Sequence, residues 1–158
     1  RWGCIIVHSS MGSIERWMYA LLEEAARKMS AGEPPMLPTW LSPTQVRFVP
    51  VSKEYLDYAV KLAERFEEAG FRADVDDRDE SVSKKVRDAE TEWVPYVAVV
   101  GAKEVEGGYV TVRVRRTREV RPVKPEDLID LLSKEVEGKP RLPLYEPRLL
   151  SMRPRFTG

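Results

Sequence analysis

Residues 93–124 read WVPYVAVVGAKEVEGGYVTVRVRRTREVRPVK, and the reading of this stretch decides the fold. Its first part is an apolar run, Val94 to Val100, whose core from Tyr96 to Val100 lies between Pro95 and Gly101 and suits a buried central strand. Turns are expected at Gly101 and at Gly107-Gly108. The chain then alternates through Tyr109, Val110, Thr111, Val112, Arg113, Val114 and Arg115. Successive side chains of a strand point to opposite faces. Val110, Val112 and Val114 are therefore assigned to a core, and Thr111, Arg113 and Arg115 to solvent or a partner. Arg116, Arg118, Arg121 and Lys124 extend the basic stripe. A sheet surface able to meet an anion is the clearest functional signal in the residues themselves.

Working upstream, Ser81 is expected to cap a helix over 82–92, with Val82, Val86, Ala89 and Trp93 facing inward and Lys84, Lys85 and Arg87 on its polar side. The carboxylates of Asp76, Asp77, Asp79 and Glu80 precede it. They are not assigned to a metal or to acid–base chemistry: no histidine is near, the spacing fits no calcium loop, and Arg78 compensates charge locally. A strand at 45–50, a helix at 53–69 capped by Ser52, and a short strand at 71–75 form a β-α-β unit with parallel neighbours. Leu56, Ala59, Val60, Ala63 and Phe66 make the buried stripe of that helix. Downstream, Pro125 suits the first turn of a helix over 125–136, with Leu128, Ile129, Leu132 and Val136 inward and Gly138 closing it. The tail KPRLPLYEPRLLSMRPRFTG is expected to be extended and laid on a surface, anchored by Tyr145, Leu149, Leu150 and Phe156.

At the N-terminal end, 3–8 reads as a strand and 13–30 as a helix capped by Ser13 or Ser10. Its buried face would be Ile14, Trp17, Met18, Leu21 and Ala25. Gly12 allows a left-handed entry, and Arg16 in the first turn could hold an anion there. The proline-rich 31–43 separates the two parts, giving a remnant at 1–37 and a second domain at 38–158, with Trp40 and Leu41 anchoring the junction.

With 158 residues, 42 % of them hydrophobic, the chain can bury one good core and contains no apolar run long enough to span a membrane. A single cysteine, Cys4, excludes an internal disulfide framework and points to a reducing, cytoplasmic setting, with Cys4 itself read as a small buried hydrophobe. The net charge is zero, yet its distribution is uneven: 8 basic and 13 acidic residues in 53–93, 6 and 1 in 109–124, and 5 and 1 in 139–158. Opposed blocks of this kind can conceal a local nucleic-acid footprint. His8 is the only histidine and, read alone, is structural. Cys4 and His8 would share a strand face but stand too far apart for one ion.

Taken together, MGSIERW (11–17), PTWLSPTQV (38–46), SVSKKVRDAE (81–90), WVPYVAVVGAKEVEGGYVTVRVRR (93–116) and KPRLPLYEPRLLSMRP (139–154) resemble the C-terminal part of the threonyl-tRNA synthetases in their archaeal form. The resemblance runs from the end of the class II catalytic domain through the anticodon-binding domain. It implies an α/β fold, a mixed and largely parallel sheet flanked by helices. It also implies that Arg16 is the motif 3 arginine at the ATP phosphates, with Mg2+ accompanying ATP, and that His8 is the last of three zinc ligands, the others lying upstream. Such a zinc would hold threonine through its amino and hydroxyl groups. Glu104, Arg113 and, beside it, Arg115 become anticodon contacts, and Lys84, Lys85 and Arg87 contacts to the RNA backbone. Pro50 stands where bacterial members usually carry asparagine, and Ser83 where glycine is common.

The implied partners are threonine tRNA, threonine and ATP, with a homodimer formed through catalytic residues outside this chain and no membrane. The 158 residues alone are expected to be inactive as a threonine–tRNA ligase, because motifs 1 and 2 are not among them. Two other readings of the same residues are a stand-alone tRNA-binding or accessory protein, and a basic strand that meets another protein.

Overall fold

A computed structural model describes residues 3–8 and 12–154. The chain divides into two compact units, Arg1–Pro35 and Met36–Gly158.

In the first unit, helix α1 (Ile14–Ser30) follows the expected Ser13 cap position, although the Ser13 side chain makes no capping bond. Gly12 has φ +76°, the left-handed entry that glycine permits. Residues 3–8 are not a strand: they have no regular structure and are exposed, Cys4 included. A strand exists only through a pairing partner, and none of the described residues supplies one. The apolar face of α1 is also largely uncovered. Ala25 is buried, but Ile14, Trp17 and Met18 are exposed. Periodicity identifies a face that needs a partner; it does not place that partner in the same chain. The alternative cap Ser10 and the anchor Phe156 lie outside the described residues.

The second unit is built on a five-stranded sheet. Its strands are β1 (Val46–Pro50), β2 (Ala73–Val75), β3 (Tyr96–Val100), β4 (Val110–Val114) and β5 (Val120–Val123), in the order β2-β1-β3-β4-β5. β1 runs parallel to β2 and β3, while β4 runs antiparallel to β3 and β5. The sheet is thus mixed, as expected, with β1, β2, β3 and β5 running one way and β4 the other. Pro122 interrupts the sequence pattern in β5. A proline lacks the ladder donor and is tolerated because β5 is an edge strand.

Helices α2 (Leu56–Glu68) and α5 (Pro125–Glu135) pack on one face of the sheet. Ala59, Leu62, Ala63, Phe66, Leu128 and Leu132 meet Val46, Phe48, Val75, Ala98, Val110 and Val112 there, and Phe48 and Phe66 contact edge to face at 5.3 Å. Burying such side chains contributes about 1.5–3 kcal/mol each. Helix α2 starts later than the capped helix expected from Ser52, because a 3-10 turn at Lys53–Tyr55 intervenes and Ser52 makes no capping bond. Helix α3 (Val82–Thr91) covers the opposite face through Ala89, Val82 and Val86 against Val49, Val97 and Val99. Its Ser81 cap accepts a hydrogen bond from the Lys84 N–H, as the sequence predicts. Among the described residues no helix covers the α3-side face of β4 and β5, and this opening defines the candidate site.

A fifth helix, α4 (Ala102–Gly107), occupies the segment expected to be a turn. Six residues are too few to display a period. Local bonds form it instead: the Glu104 carboxylate accepts the Gly101 N–H at 3.0 Å, and Gly108 closes the helix at φ +64°.

The tail crosses the acidic part of the domain. Arg148 pairs with Glu64 and Glu67, Arg153 with Asp74 and Glu146, and Leu149 bridges Val75 in the parallel sense. Of the expected anchors Leu150 is buried and Leu149 half-buried, whereas Tyr145 is 79 % exposed. Two arginines of the basic tail thus pair with carboxylates of the acidic block.

Arg78 compensates Asp76 as expected, donating through Nε at 2.8 Å and Nη2 at 2.6 Å. Burial pushes the Asp76 carboxyl up, but the hydrogen bonds and charge of Arg78 outweigh it and hold the group below its ordinary 3.8. A depressed carboxylate stabilises the fold above its unfolded pKa, and that contribution disappears as pH falls through the folded value. Stability is therefore expected to drop below pH 3.8. Urea unfolding across that window should show a shallower acid loss for Asp76→Asn than for the parent chain; parallel curves would contradict the assignment.

Candidate nucleic-acid interface

Helix α3 lies beside, not over, strands β4 and β5, and the gap is a groove of about 400 Å³. Its floor is Val99, Thr111, Arg113 and Val120 from the sheet, and its wall is Val82, Ser83, Val86, Arg87 and Glu90 from α3. The register Arg113↔Val120 and Val99↔Thr111 brings these floor residues together. Alternation along β4 and helical spacing along α3 thus converge on one place.

Arg113 is half-exposed and donates through Nη1 to Glu90 Oε1 at 3.1 Å. Glu104 adjoins the groove through Thr111: it accepts from the Thr111 hydroxyl at 2.7 Å and from the Gly101 N–H. A carboxylate has about four lone-pair positions, so both Glu90 and Glu104 keep acceptor capacity for a ligand. Arg87 is exposed on the rim, with no carboxylate within ion-pair distance among the described residues. The arrangement offers donors and acceptors side by side over apolar ground, which suits the edge and face of an unstacked base.

The remaining candidates divide. Arg115 is half-buried and donates through Nη1 to the main-chain carbonyl of Glu90 at the end of α3, a favourable place for a cation. Burial pulls its guanidinium below the usual arginine range, and the charge of Glu90 opposes this. Lys84 is exposed and paired with Glu80. Lys85, expected on the polar side of α3, is buried at 6 % exposure, with its charge favouring the ionised form of Asp76. Helical spacing explains the split: Ser83, Arg87 and Glu90 fall on one face of α3, and Lys85 turns away from it. Glu90 was missed by sequence reasoning: its spacing puts it on one helix face with Ser83 and Arg87, but does not say that this face borders the sheet opening. Pro50 is buried in β1, paired with Val100.

Arg16 and His8 belong to the first unit and are exposed. Among the described residues no group of three or more histidine, cysteine or acidic side chains could hold a metal ion. A zinc site needs three or four donors, so the donor set of this chain does not by itself fit zinc, and a single exposed arginine does not constitute a nucleotide site. Among the described residues no helix is long and apolar enough to cross a membrane.

Residues 45–135 match the family described as the anticodon binding domain. The chain is 52 % identical over 151 residues to the threonine–tRNA ligase of Pyrobaculum neutrophilum, covering 95 % of this chain and 25 % of that protein. It is 53 % identical over 155 residues to the threonine–tRNA ligase of Pyrococcus horikoshii, covering 98 % and 25 %. The chain thus spans about a quarter of the length of these curated relatives. Its fold resembles the crystal structure of the RNA binding domain of threonyl-tRNA synthetase from Cryptosporidium parvum, with a TM-score of 0.68, 28 % identity, and coverage of 79 % of this chain and 30 % of that one.

Proposed function

The chain belongs to the anticodon binding domain family, and from that premise we propose that it is the anticodon-reading part of a threonine–tRNA ligase. The observation that carries the reading is the α3–β4 groove, where Arg113 pairs with Glu90, Thr111 beside it bonds Glu104, and Val99 and Val120 supply apolar surface. Arg113 donates to a base edge, Glu104 accepts from a base amino or imino group, and Arg87 meets the backbone. Arg115 supports the groove by holding the end of α3, and Lys84 is a peripheral backbone contact once its pairing with Glu80 exchanges. Buried Lys85 is not part of this surface.

The intact enzyme would join threonine to ATP, giving threonyl-adenylate and pyrophosphate, and pass the threonyl group to the terminal adenosine of its tRNA. Residues 1–37 are the end of its catalytic domain. There Arg16 would face the ATP phosphates, with Mg2+ accompanying ATP. His8 would supply one imidazole to a zinc whose other ligands come from outside this chain. A homodimer formed through the catalytic domain and a cytoplasmic setting complete the reading.

Charging of threonine tRNA transcripts with single anticodon bases exchanged tests it. Each exchange of a base read in the groove is expected to lower kcat/KM by an amount equivalent to about 1–3 kcal/mol. Binding is also expected to weaken as salt rises, from phosphate contacts such as Arg87. Equal charging of every exchanged transcript would refute the assignment.

A further inference from the structure

We propose that Glu90 is a specificity-determining residue of the groove, one that sets Arg113 to accept the edge of a base and to refuse a phosphate. This rests on the RNA reading above and adds to it a residue that the basic stripe alone would not suggest. A bare guanidinium on a sheet is an equally good partner for a phosphate and for a base, and phosphates are the commoner ligand along an RNA strand.

Arg113 is not bare. Its Nη1 lies 3.1 Å from Glu90 Oε1, so any anion bonded to the guanidinium comes within a few ångströms of a carboxylate. That is well inside the screening length of about 10 Å at about 0.1 M salt, so the repulsion acts in full at the contact and little beyond it. Glu104 holds the hydroxyl of Thr111 in the groove floor, so a second carboxylate lies next to the groove.

A base edge meets no such penalty. It carries amino or imino donors for Glu90 beside carbonyl or ring-nitrogen acceptors for the remaining N–H groups of Arg113. Val86, Val99 and Val120 receive its face. The same carboxylate that would repel a phosphate becomes an acceptor for a base, so one side chain changes the class of ligand.

The test compares the intact ligase with its Glu90→Gln and Glu90→Asp variants. Glutamine keeps the shape and one acceptor while removing the charge, and it retains the main-chain carbonyl that holds Arg115. Aspartate restores the charge. The probes are the anticodon stem-loop of threonine tRNA and the same stem-loop with one anticodon base removed, which presents phosphate without an edge.

The parent protein is expected to prefer the complete loop by about tenfold or more. Glu90→Gln should narrow that gap by gaining affinity for the abasic loop, with a steeper salt dependence, and Glu90→Asp should restore the gap. An unchanged gap, or one narrowed only through weaker binding of the complete loop, overturns the proposal, since either outcome makes Glu90 a structural or positioning group. If the parent protein binds both loops equally, the anticodon reading itself fails, and this proposal with it.

Discussion

Replacing Asp74 by alanine is expected to cost about 3–5 kcal/mol of folding stability, the range for breaking a buried ion pair. Asp74 is fully buried on β2 and accepts three hydrogen bonds, from Arg47 Nε at 2.8 Å, Arg47 Nη2 at 2.9 Å and the Thr44 hydroxyl at 2.8 Å, beside an ion pair with Arg153 Nη2 at 2.8 Å. Arg47 is equally buried. Desolvation opposes its charge, yet Asp74 and then Glu92 hold the guanidinium above the usual arginine range. Removing Asp74 leaves Arg47 with Glu92 alone, a half-exposed partner at 2.7 Å, and Nη1 of Arg47 already lacks a bond. The tail loses its Arg153 contact in the same step.

The cost belongs to an orphaned charge, not to a large intrinsic value of the pair. Replacing Arg47 and Asp74 together by apolar residues of similar volume is therefore expected to recover most of the loss. Urea unfolding measures both. A loss under about 1 kcal/mol for Asp74→Ala, outside the range for broken buried pairs, would show that water reaches Arg47 after all.

Legibility in the sequence followed the range of the interactions involved. Strands β1 and β3 and helices α2, α3 and α5 announce themselves, because each buries several apolar residues at one period and ends at a glycine, proline or serine with a local role. Helix α4 and strand β5 do not. The first is six residues held by the Glu104 cap, and the second is an edge strand containing Pro122. Uncovered α1 shows the opposite failure: a valid amphipathic pattern whose covering surface is not among the described residues. Within the site, alternation along β4 identified Arg113 correctly as an outward residue. It could not reveal Glu90, because which face of α3 borders the sheet opening depends on packing between elements far apart in sequence. The same missing information placed Lys85 outside, and it hid the pairing of the tail arginines with Glu64, Glu67 and Asp74.

Arg113→Ala is expected to weaken binding of threonine tRNA by about 1–3 kcal/mol while changing stability by no more than about 0.5 kcal/mol. The asymmetry follows from exposure. The ion pair with Glu90 joins two side chains that are 39 % and 44 % exposed, and such pairs contribute little to folding. In the proposed complex the same guanidinium would be enclosed between α3, the floor valines and a base, where its donors would have no water to replace the lost partner. Formation of adenylate from threonine and ATP should be unaffected, because the groove does not enter that step. The loss should therefore appear in kcat/KM for tRNA and not in pyrophosphate exchange. Arg87→Ala provides the contrast. As a backbone contact it should weaken all tRNAs alike and reduce the salt slope by about one, leaving discrimination among anticodons intact. Equal charging by Arg113→Ala and parent enzyme at subsaturating tRNA would mean that recognition lies elsewhere on the domain. A loss equal to that of Arg87→Ala, and equally indifferent to the anticodon base, would reduce Arg113 to a phosphate contact. Only a loss that depends on the base supports a groove that reads sequence.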